Sequence, residues 1–214
     1  MKHNNISVDR MLVSAHKRAL LSAKYVRAEY QRDEIPIELM LEIHEVGGVY
    51  QKSTTFPGLK KSEVLEILPE LAIPEECRIS EEGWFSLDHP ETVLEGLERA
   101  KEALRLFKEM ARGEYADKTL FVVSHGYFLS CLYSLIINQT HDPGFIPHNN
   151  SLAIVDFVSE SYKNKNGEDQ VKVEPRLKAF NLQVIENQCT EVAKDFKQHY
   201  IENDCVIVPK FNSR

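Results

Sequence analysis

The sequence has no long apolar run, no paired cysteines and no excess of positive charge, and each absence closes off a class of function. Its longest nearly apolar stretch, Tyr127 to Ile137, is too short to span a bilayer and is broken by Ser130 and Ser134. The opening MKHNNISVDR is polar and lacks the apolar core of a secretory signal. Four cysteines (Cys77, Cys131, Cys189, Cys205) lie far apart with no C-x-x-C pair, which suits reduced thiols better than a disulfide scaffold or a zinc site. Lys and Arg number 26 against 33 Asp and Glu, a formal net charge of −7, which excludes a general nucleic-acid binder. A few residues can still line a cationic pocket for a small anion. A cytoplasmic chain without membrane or nucleic-acid partners is expected. The 214 residues, 43% of them apolar, suffice for one domain with a real core, and no repeat or low-complexity linker divides 1–214.

The pattern along the chain predicts strands alternating with helices. Residues 10–14 (RMLVS) form a short buried strand, and Ser14 suits the N-cap of a helix with Ala19, Ala23, Val26 and Tyr30 on one face. Pro36 to Leu41 is a second strand, and IHEVGGVYQKSTTFPG is loop. A short helix over 60–68 stops at Pro69, and residues 74–90 are irregular. Pro90 opens the strongest helix, with Leu94, Leu97, Leu104, Phe107 and Ala111 as its apolar stripe and Gly113 as its stop. Thr119 to Ser124 (TLFVVS) reads as a strand buried on both faces, followed by His-Gly and an apolar helix from Tyr127 to about Asn138. Strands over Ser151–Val158 and around Val171–Phe180 flank a polar turn, and a short helix is predicted near Glu191–Tyr200. Such alternation implies an α/β domain with a mostly parallel sheet.

Two strand-to-helix junctions can carry chemistry. In open α/β sheets ligands bind beyond the carboxyl ends of strands, where helix N-termini offer free N–H groups to anions. His125 and Gly126 stand at one such junction, so His125 is either a phosphate or carboxylate contact or a buried histidine satisfied by backbone. Ser14 to Arg18 repeats the arrangement, and Arg18 can hold a phosphate bidentately or simply face solvent. Ser124 does not fit a nucleophile elbow, because V-V-S-H-G has Val122 where G-x-S-x-G needs glycine. His44-Glu45 fails as H-E-x-x-H, since Gly48 takes the second histidine's place. His141 and His148 lack ligand spacing, so neither metal nor cofactor is expected. Trp84 and Phe85 read as loop packing, Tyr127 and Phe128 as helix core, and Asn149-Asn150 as a turn.

Several motifs in order resemble the histidine phosphatase superfamily, the phosphoglycerate-mutase-like fold. SAHKRALLSA is similar to its S-P-x-x-R-A-x-x-T-A stretch, and LFVVSHGYFL to its second-histidine strand. EIHEVGGVY resembles the E-x-x-G loop that bears its general acid, with Glu45 and Gly48 in place. PETVLEGLERA and NNSLAIVDF look like its long helix and the strand after the second histidine. The resemblance runs over residues 10 to about 158 and implies a three-layer phosphoglycerate-mutase-like domain, with the loops at 44–60 and 72–90 capping the pocket. It implies a phosphomonoesterase acting through a phosphohistidine on a small phosphorylated substrate. Arg18, His125 and Gly126 would then bind the phosphoryl group, and Glu45 would be the acid, its pKa raised by burial.

The family's opening strand, which ends in Arg-His-Gly and supplies the nucleophile and a second arginine, is missing from these 214 residues. Ala15 stands where the family has Pro, and Ser22 where it has Thr. No other histidine sits at a strand end followed by Gly. The chain as given is therefore expected to be inactive, with its transcript extending upstream of Met1. An interior gap in the sheet and poor solubility should follow from the missing strand. The alternative is a non-catalytic relative that binds a phosphorylated ligand or a partner.

Overall fold

The computed structural model describes residues 7–30, 35–51, 54–137, 147–149, 151–183 and 204–213. Strand β1 (Arg10–Val13) leads to helix α1 (Lys17–Tyr30), then to β2 (Ile37–Leu39) and a single 3-10 turn, Leu41–Ile43. A small antiparallel hairpin, β3 (Tyr50–Gln51) and β4 (Thr54–Thr55), interrupts the expected loop and is followed by α2 (Lys61–Ile67). Next come α3 (Val93–Arg112), β5 (Leu120–His125), α4 (Gly126–Ile136), β6 (Ser151–Lys163), β7 (Asp169–Gln183) and β8 (Asp204–Ser213).

Six strands form one sheet in the order β2-β1-β5-β8-β6-β7. It is parallel over β2-β1-β5 and mixed beyond, because β8 runs antiparallel to β5 and parallel to β6. The expected gap does not arise in this arrangement, since β8 lies between β5 and β6 and gives each a ladder partner.

The period of two along β1 and β5 divides the core. Leu12, Leu120 and Val122 face α3 and α4, while Met11, Val13, Phe121 and Val123 face α1 and α2. Helices thus cover both faces of the sheet, which is the three-layer α/β architecture. The alternation continues on β6, where Ala153, Val155 and Phe157 join the α3–α4 side. Among the described residues no helix is long and apolar enough to cross a membrane.

Several local expectations need correction. Helix α1 begins at Lys17 rather than capping on Ser14. Helix α3 begins after Thr92, whose side chain accepts from the Glu95 N–H while Glu95 bonds back, so Pro90 precedes the helix. Leu94 is 75% exposed, and the buried stripe is instead Gly96, Leu97, Ala100, Ala103, Phe107 and Ala111, with Leu104 packed beside it. Tyr127 is 41% exposed, whereas Phe128 is core as expected. Strands β6 and β7 run beyond their expected ends. The helix predicted near 191–200 lies outside the described residues.

Candidate active site

Parallel pairing of β1 with β5 brings two strand ends together. Val13 is opposite Val123, and the Ser14 N–H donates to the Val123 carbonyl at 3.1 Å. Ser14 therefore stands beside the end of β5, and its Oγ lies 2.8 Å from His125 Nε2. In the first turn of α1, Arg18 Nε donates to His125 Nδ1 at 3.1 Å. A guanidinium only donates, so Nδ1 carries the lone pair. Burial foremost, then the charges of Arg18 and Arg99, hold the His125 pKa well below its ordinary value. The neutral ring then has its proton on Nε2, which donates to Ser14 Oγ. Ser14 is thus a partner of His125 and not the cap of α1.

Glu45 enters from the loop after the 3-10 turn. Its Oε1 accepts the N–H groups of Val46 at 2.9 Å and Phe128 at 3.0 Å, and its Oε2 lies 3.9 Å from Arg18 Nη2. Phe128 is in the first turn of α4, so this carboxylate satisfies one of the helix's otherwise unpaired donors. Burial raises the Glu45 pKa, opposed by the Phe128 and Val46 N–H groups and by Arg18. Ser124 donates its hydroxyl to the Ile43 carbonyl at 2.7 Å, anchoring the same loop, and is fully buried. That bond suits a structural serine and not a nucleophile. Gly126 opens α4, and a Cβ built there would meet no described heavy atom within 4 Å, so the space beside His125 is open at this point.

Arg18, Glu45, His125 and Gly126 therefore come together. The structure adds residues that the sequence did not assign to the site. His16 stacks edge-on to His125, with ring centres 4.7 Å apart, and Trp84 lies 5.2 Å from His16 and 5.1 Å from His44. Burial, aided by nearby cations, pushes the pKa of both His16 and His44 down to about 2. His44 Nδ1 donates to the Leu41 carbonyl at 2.7 Å, so its Nε2 is a bare acceptor. His16 Nε2, His44 Nε2 and Trp84 Nε1 are buried without a hydrogen-bond partner among the described residues. His16 and His44 adjoin motifs already legible in the sequence, but nothing local says that their rings meet. The loops expected to cap the site are stitched together: Trp84 and Phe85 both donate their N–H groups to the Pro57 carbonyl, at 2.7 and 3.0 Å. No cluster of three or more potential metal ligands is assembled among the described residues.

In comparison with known protein families, the family model described as histidine phosphatase superfamily (branch 1) matches residues 2–169. No curated protein and no solved structure matches the chain.

Proposed function

The chain belongs to the histidine phosphatase superfamily, and from that membership we propose a cytoplasmic phosphomonoesterase whose full-length form works through a phosphohistidine. The observation that carries this reading is the convergence of Arg18, Glu45 and His125, drawn from three separate segments onto one strand-end site. In the first step an imidazole attacks phosphorus and the ester P–O bond breaks. Glu45, kept protonated more readily by its burial, gives its proton to the leaving oxygen. Arg18, His125 and the N–H groups at the start of α4 offset the charge on the phosphoryl oxygens. Water then attacks phosphorus, Glu45 takes its proton, and the N–P bond breaks.

The 214 residues contain no Arg-His-Gly segment, so the reading requires the attacking imidazole to come from outside them. Ligand entry requires His125 Nε2–H to turn from Ser14 Oγ to a phosphoryl oxygen, which exchanges one acceptor for a charged one. The chain 1–214 should bind phosphate or vanadate, shown as a rise in melting temperature at matched ionic strength. It should neither hydrolyse an aryl phosphate nor trap phosphohistidine on acid quench. A form supplying that imidazole should turn over, and Glu45→Gln and His125→Ala should abolish it. Turnover by 1–214 itself, lost in those variants, would sink this reading of the nucleophile.

The second reading is a non-catalytic binder of a phosphorylated ligand, favoured by the same missing segment. A mature transcript starting at Met1, with a soluble and cooperatively melting product, would select it.

A further inference from the structure

Helix α3 contacts the Glu45 loop through a buried ion pair for which the chemistry above has no use. Arg99, in the second turn of α3, has a side chain only 13% exposed. Its Nε and Nη2 donate to the two carboxylate oxygens of Glu91 at 2.8 and 2.6 Å. Its Nη1 donates to the carbonyls of Glu42 at 2.7 Å and His44 at 2.9 Å, the residues leading into Glu45. The Glu91 N–H in turn donates to the Gly47 carbonyl at 3.2 Å, on the far side of Glu45. The guanidinium also lies over the ring of Phe128, 4.8 Å from its centre, and it is the Phe128 N–H that holds Glu45 Oε1. At Gly96, where an added Cβ would sit 2.8 Å from Val46 Cγ2, α3 approaches the same loop again.

From these contacts we infer that Arg99, locked by Glu91, is a positioning residue that fixes the Glu45 carboxyl against the first turn of α4. The inference rests on the reading of Glu45 as the acid. A buried ion pair is by itself poor support for stability, since apolar residues of similar volume often serve as well. What an apolar pair lacks is the fork: four N–H bonds in one plane reaching a carboxylate and two backbone carbonyls. Lysine keeps the charge but is a single point and cannot span both sets of acceptors. Without the fork, the 42–47 loop loses its tie at the Glu42 and His44 carbonyls, and Glu91, whose backbone N–H holds Gly47, loses its side-chain anchor. The carboxyl then gains water and gives up its bonds to Val46 and Phe128.

The test needs no turnover, so its result is separate from the fate of the phosphatase reading. Glu45 is followed by carboxyl 13C NMR across pH, assigned with Glu45→Gln; the groups facing it are Arg18, the Val46 N–H, the α4 N–H groups and the Cys131 thiol on α4. Amide exchange at Val46 and Phe128 is followed alongside. In Arg99→Lys, the titration should fall back toward the ordinary glutamate value of about 4.3. The two amides should exchange about tenfold faster or more. The double variant Arg99→Met/Glu91→Leu leaves no unpaired buried charge and should show the same two changes with the fold retained. A lower melting temperature with the Glu45 titration and both amides as in the wild type, in both variants, would overturn the inference and leave the pair merely structural.

Discussion

His125 is held by two bonds of opposite sense, accepting from Arg18 at Nδ1 and donating to Ser14 at Nε2, and that pairing fixes its tautomer as well as its orientation. Ser14→Ala removes the acceptor from a fully buried N–H and should cost about 1–3 kcal/mol, read as a shift in urea midpoint. Ser14→Thr keeps a hydroxyl and should recover most of that loss. Equal destabilisation by both would mean that packing, not the hydrogen bond, is what Ser14 supplies. Gly48 is constrained in a different way. Its φ is +70°, and a Cβ there would come within 2.0 Å of the Phe85 ring. Gly48→Ala should therefore cost about 1–3 kcal/mol through crowding alone, with backbone strain added to it.

Helix α3 shows how an element's two ends and two faces differ in worth. Its capping box joins the Thr92 side chain to the Glu95 N–H, and the Glu95 carboxylate to the Thr92 N–H at 2.8 Å. Thr92→Ala should lower stability by about 1 kcal/mol. Leu97 is buried against the sheet while Leu94, three residues earlier, is 75% exposed. Leu97→Ala is expected to cost about 2–5 kcal/mol and Leu94→Ala less than about 0.5 kcal/mol. Comparable losses in thermal melts of the two variants would contradict the orientation of the helix. An apolar count alone places Leu94 on the stripe, yet on a helical wheel it sits more than a quarter turn from the centre of the buried residues. Small residues, Gly96, Ala100 and Ala103, make up much of the real contact face, and they carry little weight in a hydrophobic pattern.

Across the whole molecule, three neutral imidazoles make stability depend on pH. His16, His44 and His125 all have pKa values depressed in the fold, chiefly by burial. The unfolded chain protonates them near pH 6.5 and the folded chain does not, so the unfolded state binds more protons below that value. Their contribution is complete above about pH 6.5 and is lost as pH falls, at a limiting slope of about 1.4 kcal/mol per pH unit for each group. The melting temperature should drop steeply between pH 7 and 5, and His16→Asn should flatten the slope. A flat profile would show that the rings are not held neutral. Glu45 acts in the opposite direction: with its pKa raised, stability is lost as pH rises through its folded value.

The order of β1, α1, β5 and α4, and with it Arg18 and His125, could be read from the chain alone, whereas Glu45 came through the resemblance of its loop to the family's. Arg18 and His125 each lie in a local pattern, a buried run ending at a helix start, and local patterns survive without tertiary information. The same holds for the two-faced burial of β1 and β5, which their continuous apolar runs dictate. Tertiary structure alone decided which rings meet. His16, His44 and Trp84 belong to three different segments, and only the packing of two loops against α1 makes them neighbours. It also decided the reach of Arg99, whose targets, the carbonyls of Glu42 and His44, are backbone atoms with no sequence signature. The placement of β8 between β5 and β6 belongs to the same class, because a short β-rich tail encodes the capacity to pair but not its partner or direction.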